Sequence, residues 1–182
     1  MSRLKAKRVH SSSKTSLTNP AEPLTTIARR AITGIHVEPA YTQYAYVPQL
    51  DGEPDIYDGD TVRLQIDMGQ RVWIRDLQYR LYGINTPELR TVATREAGEA
   101  ARNYLQFLIK SFQLQLEPPA DGGYWLVVKT HKHKRRRAYR AQAQQGKYGR
   151  YLVELFGKDM GGQWVNLNRK LLQANHAEVY LG

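Results

Sequence analysis

Tyr57-Asp58-Gly59-Asp60-Thr61-Val62-Arg63-Leu64-Gln65-Ile66 sets an Asp-Gly-Asp turn directly ahead of a run in which apolar and polar side chains alternate. A period of two, in residues such as Val, Thr and Ile, is the pattern of a half-buried strand. Asp67-Met68-Gly69-Gln70 then reads as a hairpin connection. Val72 to Ile84, dense in Val, Trp, Ile, Tyr and Leu, reads as one or two further strands. Upstream, Ile32 to Val47 is β-like, since Ile35, Val37, Tyr41, Tyr44 and Tyr46 follow no helical period. Pro48 to Pro54 reads as a loop or a broken edge strand, because proline cannot donate to a ladder.

Downstream the period lengthens. Thr94 is a candidate N-cap, and Ala97, Ala101, Tyr104, Leu105, Leu108, Ile109 and Phe112 recur at helical spacing. Pro118-Pro119 and Gly122-Gly123 end that segment. Tyr124 to Thr130 is a strand, residues 131–147 a basic loop, and Tyr151 to Phe156 the returning strand. A second amphipathic helix spans about Val165 to Ala174, with Asn175 suited to its C-terminus. Strands cluster before helices instead of alternating with them, so the class is α+β, mainly β. About five strands in this length fit a five-stranded OB-fold barrel with two or three packed helices, an architecture that binds nucleic acid.

The chain has 182 residues, enough for one domain with appendages. Residues 1–31 read as a basic, flexible N-terminal arm, and residues 32–182 as the domain, with a basic insertion at 131–146. The absence of cysteine excludes disulfides, thiolate metal sites and thiol catalysis. No run approaches the 18 apolar residues of a membrane span, and the arm has no apolar core of a secretory signal. An intracellular or virion-associated setting is expected by elimination. The net charge of +10 calls for a polyanionic partner, nucleic acid before an anionic membrane. That charge is a sum of opposites. The arm holds seven basic residues and one acid, and residues 129–150 hold nine basic residues and no acid. The remainder, 11 basic against 16 acidic residues, is net −5.

Three motifs carry chemistry. The Asp58-Gly59-Asp60 turn puts carboxylates where a hard cation such as Ca²⁺ finds oxygen ligands, although Asp-Gly turns are common without one. Tyr79-Arg80-Leu81-Tyr82-Gly83-Ile84-Asn85-Thr86-Pro87-Glu88-Leu89-Arg90 ends a strand in a proline-stiffened turn that offers Asn85, Thr86 and Glu88. Gly146-Lys147-Tyr148-Gly149-Arg150-Tyr151-Leu152 adds cations at a tight turn. A cation site, an isolated Glu and two arginines suit phosphodiester hydrolysis: cations neutralise the phosphoryl oxygens, and a carboxylate activates water.

In this order and spacing, the motifs resemble the staphylococcal nuclease (thermonuclease) family, over roughly Tyr41 to Tyr180. The resemblance implies a five-stranded OB-type barrel and metal-dependent endonucleolytic cleavage of DNA and/or RNA with low sequence specificity. It implies that Asp60, Asn85 and the Thr86 carbonyl bind Ca²⁺ or another divalent cation, with Asp58 in support. Glu88 would act as general base, and Arg80 and Arg150 would bind the scissile phosphate. Lys147 and Tyr148 would contact a neighbouring phosphate. Asn85 departs from the aspartate of the familiar member, which removes one negative charge from the metal site. The insertion also departs. Lys132, Lys134, Arg135, Arg136, Arg137 and Arg140 suit phosphate tracking and Tyr139 suits base stacking, while His131 and His133 read as solvated loop residues. The alternative is a catalytically weak or inactive nuclease-fold component of a virion or nucleoprotein assembly, joined to it through the arm.

Overall fold

A computed structural model of the chain describes residues 42–131 and 151–180. The arm, the residues from it to Tyr41, and the basic loop from Lys132 to Arg150 lie outside these. The alternating runs become strands. β1 (Gln43–Val47) precedes a miniature hairpin, β2 (Gln49–Leu50) and β3 (Glu53–Pro54), in the proline-bounded stretch expected as a broken edge. β4 (Ile56–Asp58) and β5 (Thr61–Asp67) flank the Gly59-Asp60 turn. β6 (Trp73–Leu81) and the short β7 (Ile84–Asn85) follow. Next come helix α1 (Arg95–Phe112), β8 (Tyr124–His131), β9 (Tyr151–Lys158) and β10 (Trp164–Asn166). Helix α2 (Leu167–Gln173) and β11 (Glu178–Val179) end the described chain.

The protein is mainly β, with two helices among the described residues. Five strands run in a ring in the order β1-β8-β9-β6-β5, and β5 pairs back to β1. All steps are antiparallel except β6 to β9, which is parallel. The ring is not closed as the expected barrel: β1 and β5 share only Ala45↔Ile66 and Tyr46↔Gln65. The physical reason is the brevity of β1. Its five residues all pair with β8, and Pro48 ends it before it can extend along β5.

Leu64, Ile66, Leu81, Leu126, Val153 and Leu155 fill the ring, and Leu105, Leu108 and Ile109 of α1 cap them. Each such side chain contributes about 1.5–3 kcal/mol by leaving water. A second apolar layer lies on the other face of β1, β8 and β9. There Tyr46, Trp73 and Trp125 meet with ring centroids 5.3–6.1 Å apart, and Leu114, Val127 and Phe156 pack beneath Trp125 and Trp164. All three tryptophans are therefore surface packing.

Helix α1 differs from the sequence reading in two local features. Thr94 does occupy the N-cap of α1, but its hydroxyl donates to Glu88 O at 2.7 Å instead of accepting from its own helix. The buried stripe of α1 starts at Gly98, and Ala97 is exposed. The cause is proximity: a Cβ on Gly98 would sit 2.8 Å from Pro87 O. A Cβ on Gly59 would likewise meet Ala101 Cβ at 2.7 Å. Two missing side chains let α1 lie directly against both the Asp-Gly-Asp turn and the Thr-Pro-Glu turn.

Helix α2 starts at Leu167 and not near Val165, because Val165 and Asn166 pair in β10; Asn166 is its N-cap and accepts from Arg169 N at 3.1 Å. Asn175, just past its C-cap, takes a left-handed φ of 59°. Buried Asn168 donates to Tyr82 O at 3.0 Å and Val153 O at 3.1 Å, and accepts from Leu155 N at 3.0 Å. One side chain thus staples the parallel seam between β6 and β9. Among the described residues, no helix is long and apolar enough to cross a membrane.

Candidate functional site

Register across β4, β5 and β6 sets the site. Asp58 opposes Thr61, and Thr61 opposes Arg80, so both ends of the Asp-Gly-Asp turn and the Arg80 strand come together at one end of the sheet. The turn is held by Asp60 O, which accepts from Leu81 N at 2.8 Å. β7 and the segment after it bring in Asn85, Thr86 and Glu88. The result is a cavity of about 430 Å³ lined by Asp58, Asp60, Arg80, Asn85, Thr86 and Glu88, together with Tyr57, Gln78, Pro87, Leu89 and Arg90.

Asp60 is buried at 3% exposure, so its carboxylate requires compensation. Oδ1 accepts from Arg80 Nη1 at 3.0 Å and from the Thr61 hydroxyl at 3.1 Å. Oδ2 accepts from Thr86 N at 3.2 Å. The other Arg80 nitrogen, Nη2, donates to Asn85 Oδ1 at 2.7 Å. Arg80 therefore bridges Asp60 and Asn85, with the Tyr180 ring centroid 5.8 Å from its guanidinium carbon. The tail holds this arrangement: β11 pairs Glu178↔Asn85 and Val179↔Ile84, and Tyr180 N donates to Gly83 O at 2.9 Å.

Glu88 is exposed, and the Thr94 hydroxyl fixes its carbonyl. Asp58 is half-buried at the mouth of the same cavity. Among the described residues no three acidic or imidazole side chains converge closely enough to hold a metal by themselves. The donors at hand are carboxylates, one amide and backbone carbonyls, all oxygen, which is the ligand set of a hard cation such as Ca²⁺.

The remaining site residues read from the sequence, Arg150, Lys147, Tyr148, Lys132, Lys134, Arg135, Arg136, Arg137, Tyr139 and Arg140, lie outside the described residues, as does His133. His131 is not a solvated loop residue. It ends β8 with its ring stacked on Tyr82, centroids 3.8 Å apart, and its Nε2 3.0 Å from Glu154 Oε1. The strand reaches one residue further than its sequence pattern because Tyr82 and Glu154 give the imidazole somewhere to pack. Glu154 also accepts from Asn166 Nδ2 at 3.0 Å. Burial pushes the Glu154 pKa up, but contact with His131 and the fields of Lys129 and Arg169 outweigh it, and the net shift is below the ordinary value.

Sequence reasoning missed Tyr57 and Arg90, which also line the cavity. Arg90 Nη2 donates to Tyr57 Oη at 2.6 Å. That bond, and then the charges of Asp58 and Glu88, raise the Arg90 pKa against desolvation. Their adjacency to Asp58 and Glu88 in sequence was the available signal. No protein-family model matches the chain, and no curated protein matches it.

Proposed function

We propose that the chain is a metal-dependent endonuclease of the staphylococcal nuclease type, acting on DNA and/or RNA with low sequence specificity. The five-strand ring is then a variant of the OB-type barrel. One observation carries this reading: Asp60, Arg80, Asn85, Thr86 and Glu88, from two motifs 20 and more residues apart, line a single cavity. A buried carboxylate bridged to an amide by a guanidinium is costly to assemble, and packing alone gives no reason for it.

The oxygen donors fit a divalent cation. Asp60, Asn85 and the Thr86 carbonyl would hold it, with Asp58 alongside, and it would supply Lewis-acid charge to the phosphoryl oxygens. Glu88, exposed at the cavity, takes a proton from the attacking water. Arg80 spends one N–H on Asp60 and one on Asn85, and among the described residues nothing else engages its remaining donors, which can bind a phosphate oxygen. Arg150, in this reading, is the second guanidinium. The basic arm and the basic loop hold the polymer, so affinity falls steeply with salt.

A second reading rests on Asn85. An amide already accepting from Arg80 at 2.7 Å is a weaker cation ligand than a carboxylate. On that reading the fold binds nucleic acid within a virion or nucleoprotein assembly without cutting it. Plasmid nicking across a series of Ca²⁺, Mg²⁺ and Mn²⁺ separates the two. The nuclease reading expects cleavage that excess EDTA abolishes. Salt-sensitive binding with intact plasmid in every metal favours the second reading.

A further inference from the structure

We propose that Tyr57 and Arg90 form a nucleotide subsite for an unpaired strand: a base stacks on the Tyr57 ring while Arg90 holds the adjoining phosphate. The proposal rests on the nucleic-acid reading of the cavity and adds a residue pair that reading does not use.

Position comes first. Tyr57 is the outward residue of β4, between buried Ile56 and half-buried Asp58, and 45% of it is exposed. β4 is separated from the Arg80 strand by β5 alone, so the pair sits two strand spacings from Arg80, about 10 Å. A strand whose scissile phosphate meets Arg80 therefore has a neighbouring nucleotide within reach of β4. Both groups line the same cavity as Arg80 and Glu88.

Geometry then separates the roles. Arg90 bonds the hydroxyl of Tyr57 at 2.6 Å, with its guanidinium carbon 6.0 Å from the ring centroid. This puts the cation near the hydroxyl end of the ring, at the outer limit of a cation–π contact. Among the described residues no second ring packs on Tyr57. A flat, half-exposed face beside a guanidinium with one donor committed is the combination used to bind single strands: every base has a π-face, and every nucleotide has a phosphate. Bases in a duplex are stacked on each other and cannot use it.

Chemistry explains the pairing. The neighbouring Asp58 and Glu88 would draw a loose Arg90 toward themselves. Its bond to the Tyr57 hydroxyl holds the guanidinium out at the rim, where an incoming phosphate meets it. Arg90 also offsets the acidity of this rim toward a polyanion.

The test is anisotropy titration of the full chain in EDTA with fluorescein-labelled oligothymidylate. The same strand with one abasic position walked along it, and a blunt duplex, are titrated in parallel. Tyr57→Ala should weaken binding to the intact strand about tenfold. It should leave binding unchanged for the abasic strand whose missing base faces Tyr57. Tyr57→Phe, which keeps the ring, should retain most of the stacking affinity. Arg90→Ala should weaken all strands and flatten the dependence of log affinity on log salt by about one unit. Equal losses on intact and every abasic strand, equal effects of Tyr57→Ala and Tyr57→Phe, or no binding by the wild-type chain each overturn the subsite. Because binding is read without metal, absence of cleavage in the nicking assay sinks the nuclease reading and leaves this measurement standing.

Discussion

Asp60 has been taken out of water and given three partners, and Arg80 supplies the only full charge among those three. Removing a partner from a buried pair strands the remaining charge, which costs about 3–5 kcal/mol. Arg80→Ala is therefore expected to lower the melting temperature as well as activity, by roughly 3 kcal/mol once the 19% exposure of the Arg80 side chain is allowed for. The double variant Asp60→Asn/Arg80→Met should recover most of that stability and none of the activity. If Arg80→Ala melts with the wild type, the pair carries no stability. Glu88 is the opposite case: it is exposed, so Glu88→Gln should leave the melting temperature unchanged while cleavage of plasmid falls by about 10²–10⁴. Tyr79 gives a pH signature. Burial, and then the neighbouring Tyr151, push its pKa from 10.0 up to about 12. A raised pKa means that its contribution to stability is full below pH 10 and is lost as pH rises through about 12. Urea melts between those values should decline less for Tyr79→Phe than for the wild type. Individual site residues were legible in the sequence because turn chemistry and strand ends are local. The bridge from Arg80 to Asp60 and Asn85 was not, because it depends on which atoms meet.

Helix α1 fixes the distance between the two turns that meet at the cavity, and it does so through glycine. Gly98→Ala would drive a methyl group to 2.8 Å from Pro87 O, a backbone atom with no freedom to swing away. The helix or the turn must move, and Glu88 with it. Activity should fall at least tenfold while far-ultraviolet circular dichroism stays the same, since alanine is the better helix former. An active Gly98→Ala variant would mean that the turn is not positioned by the helix. Just past Arg80, Asn168 satisfies three backbone groups across the β6–β9 seam. Asn168→Leu takes the side-chain partner from Tyr82 O and Leu155 N, while Val153 O keeps its bond from Tyr82 N at 2.7 Å, with an expected loss of roughly 2 kcal/mol in chemical denaturation. Elements were legible where periodicity is strong, as in β5, α1 and β8. Ala97 was misassigned to the buried stripe because its periodic position is overruled by the near-contact at Gly98, and helical period alone does not reveal contacts between distant segments. The ring's failure to close as a barrel was also hidden, since strand count says nothing about how far β1 runs along β5.

Across the whole molecule, charge is partitioned. Outside the arm and residues 129–150 the chain carries 11 basic against 16 acidic residues, so the body that forms the cavity is net acidic. On the proposed function, polymer affinity would then come chiefly from the two basic stretches. Neutralising Arg135, Arg136 and Arg137 together should reduce the slope of log affinity against log salt by about two to three units, while leaving the turnover of a dinucleotide unchanged. An unchanged slope would put the binding charge elsewhere. This partition was legible from the placement of charges along the sequence, but the tail that clamps Asn85 was not, because a two-residue strand has no period. That clamp has a consequence in time. Ribosomes deliver the chain from its N-terminus, so Asp60, Arg80 and Glu88 emerge long before residues 178–180 that pair with β7, and before the β9 strand that lies alongside β6. Contacts this far apart in sequence form slowly. On the proposed function, a nascent chain therefore carries Asp60, Arg80 and Glu88 before the pairings that hold their geometry can form. If the chain cuts RNA as proposed, messenger RNA still threaded through the ribosome is spared until residues 178–180 pair along β7.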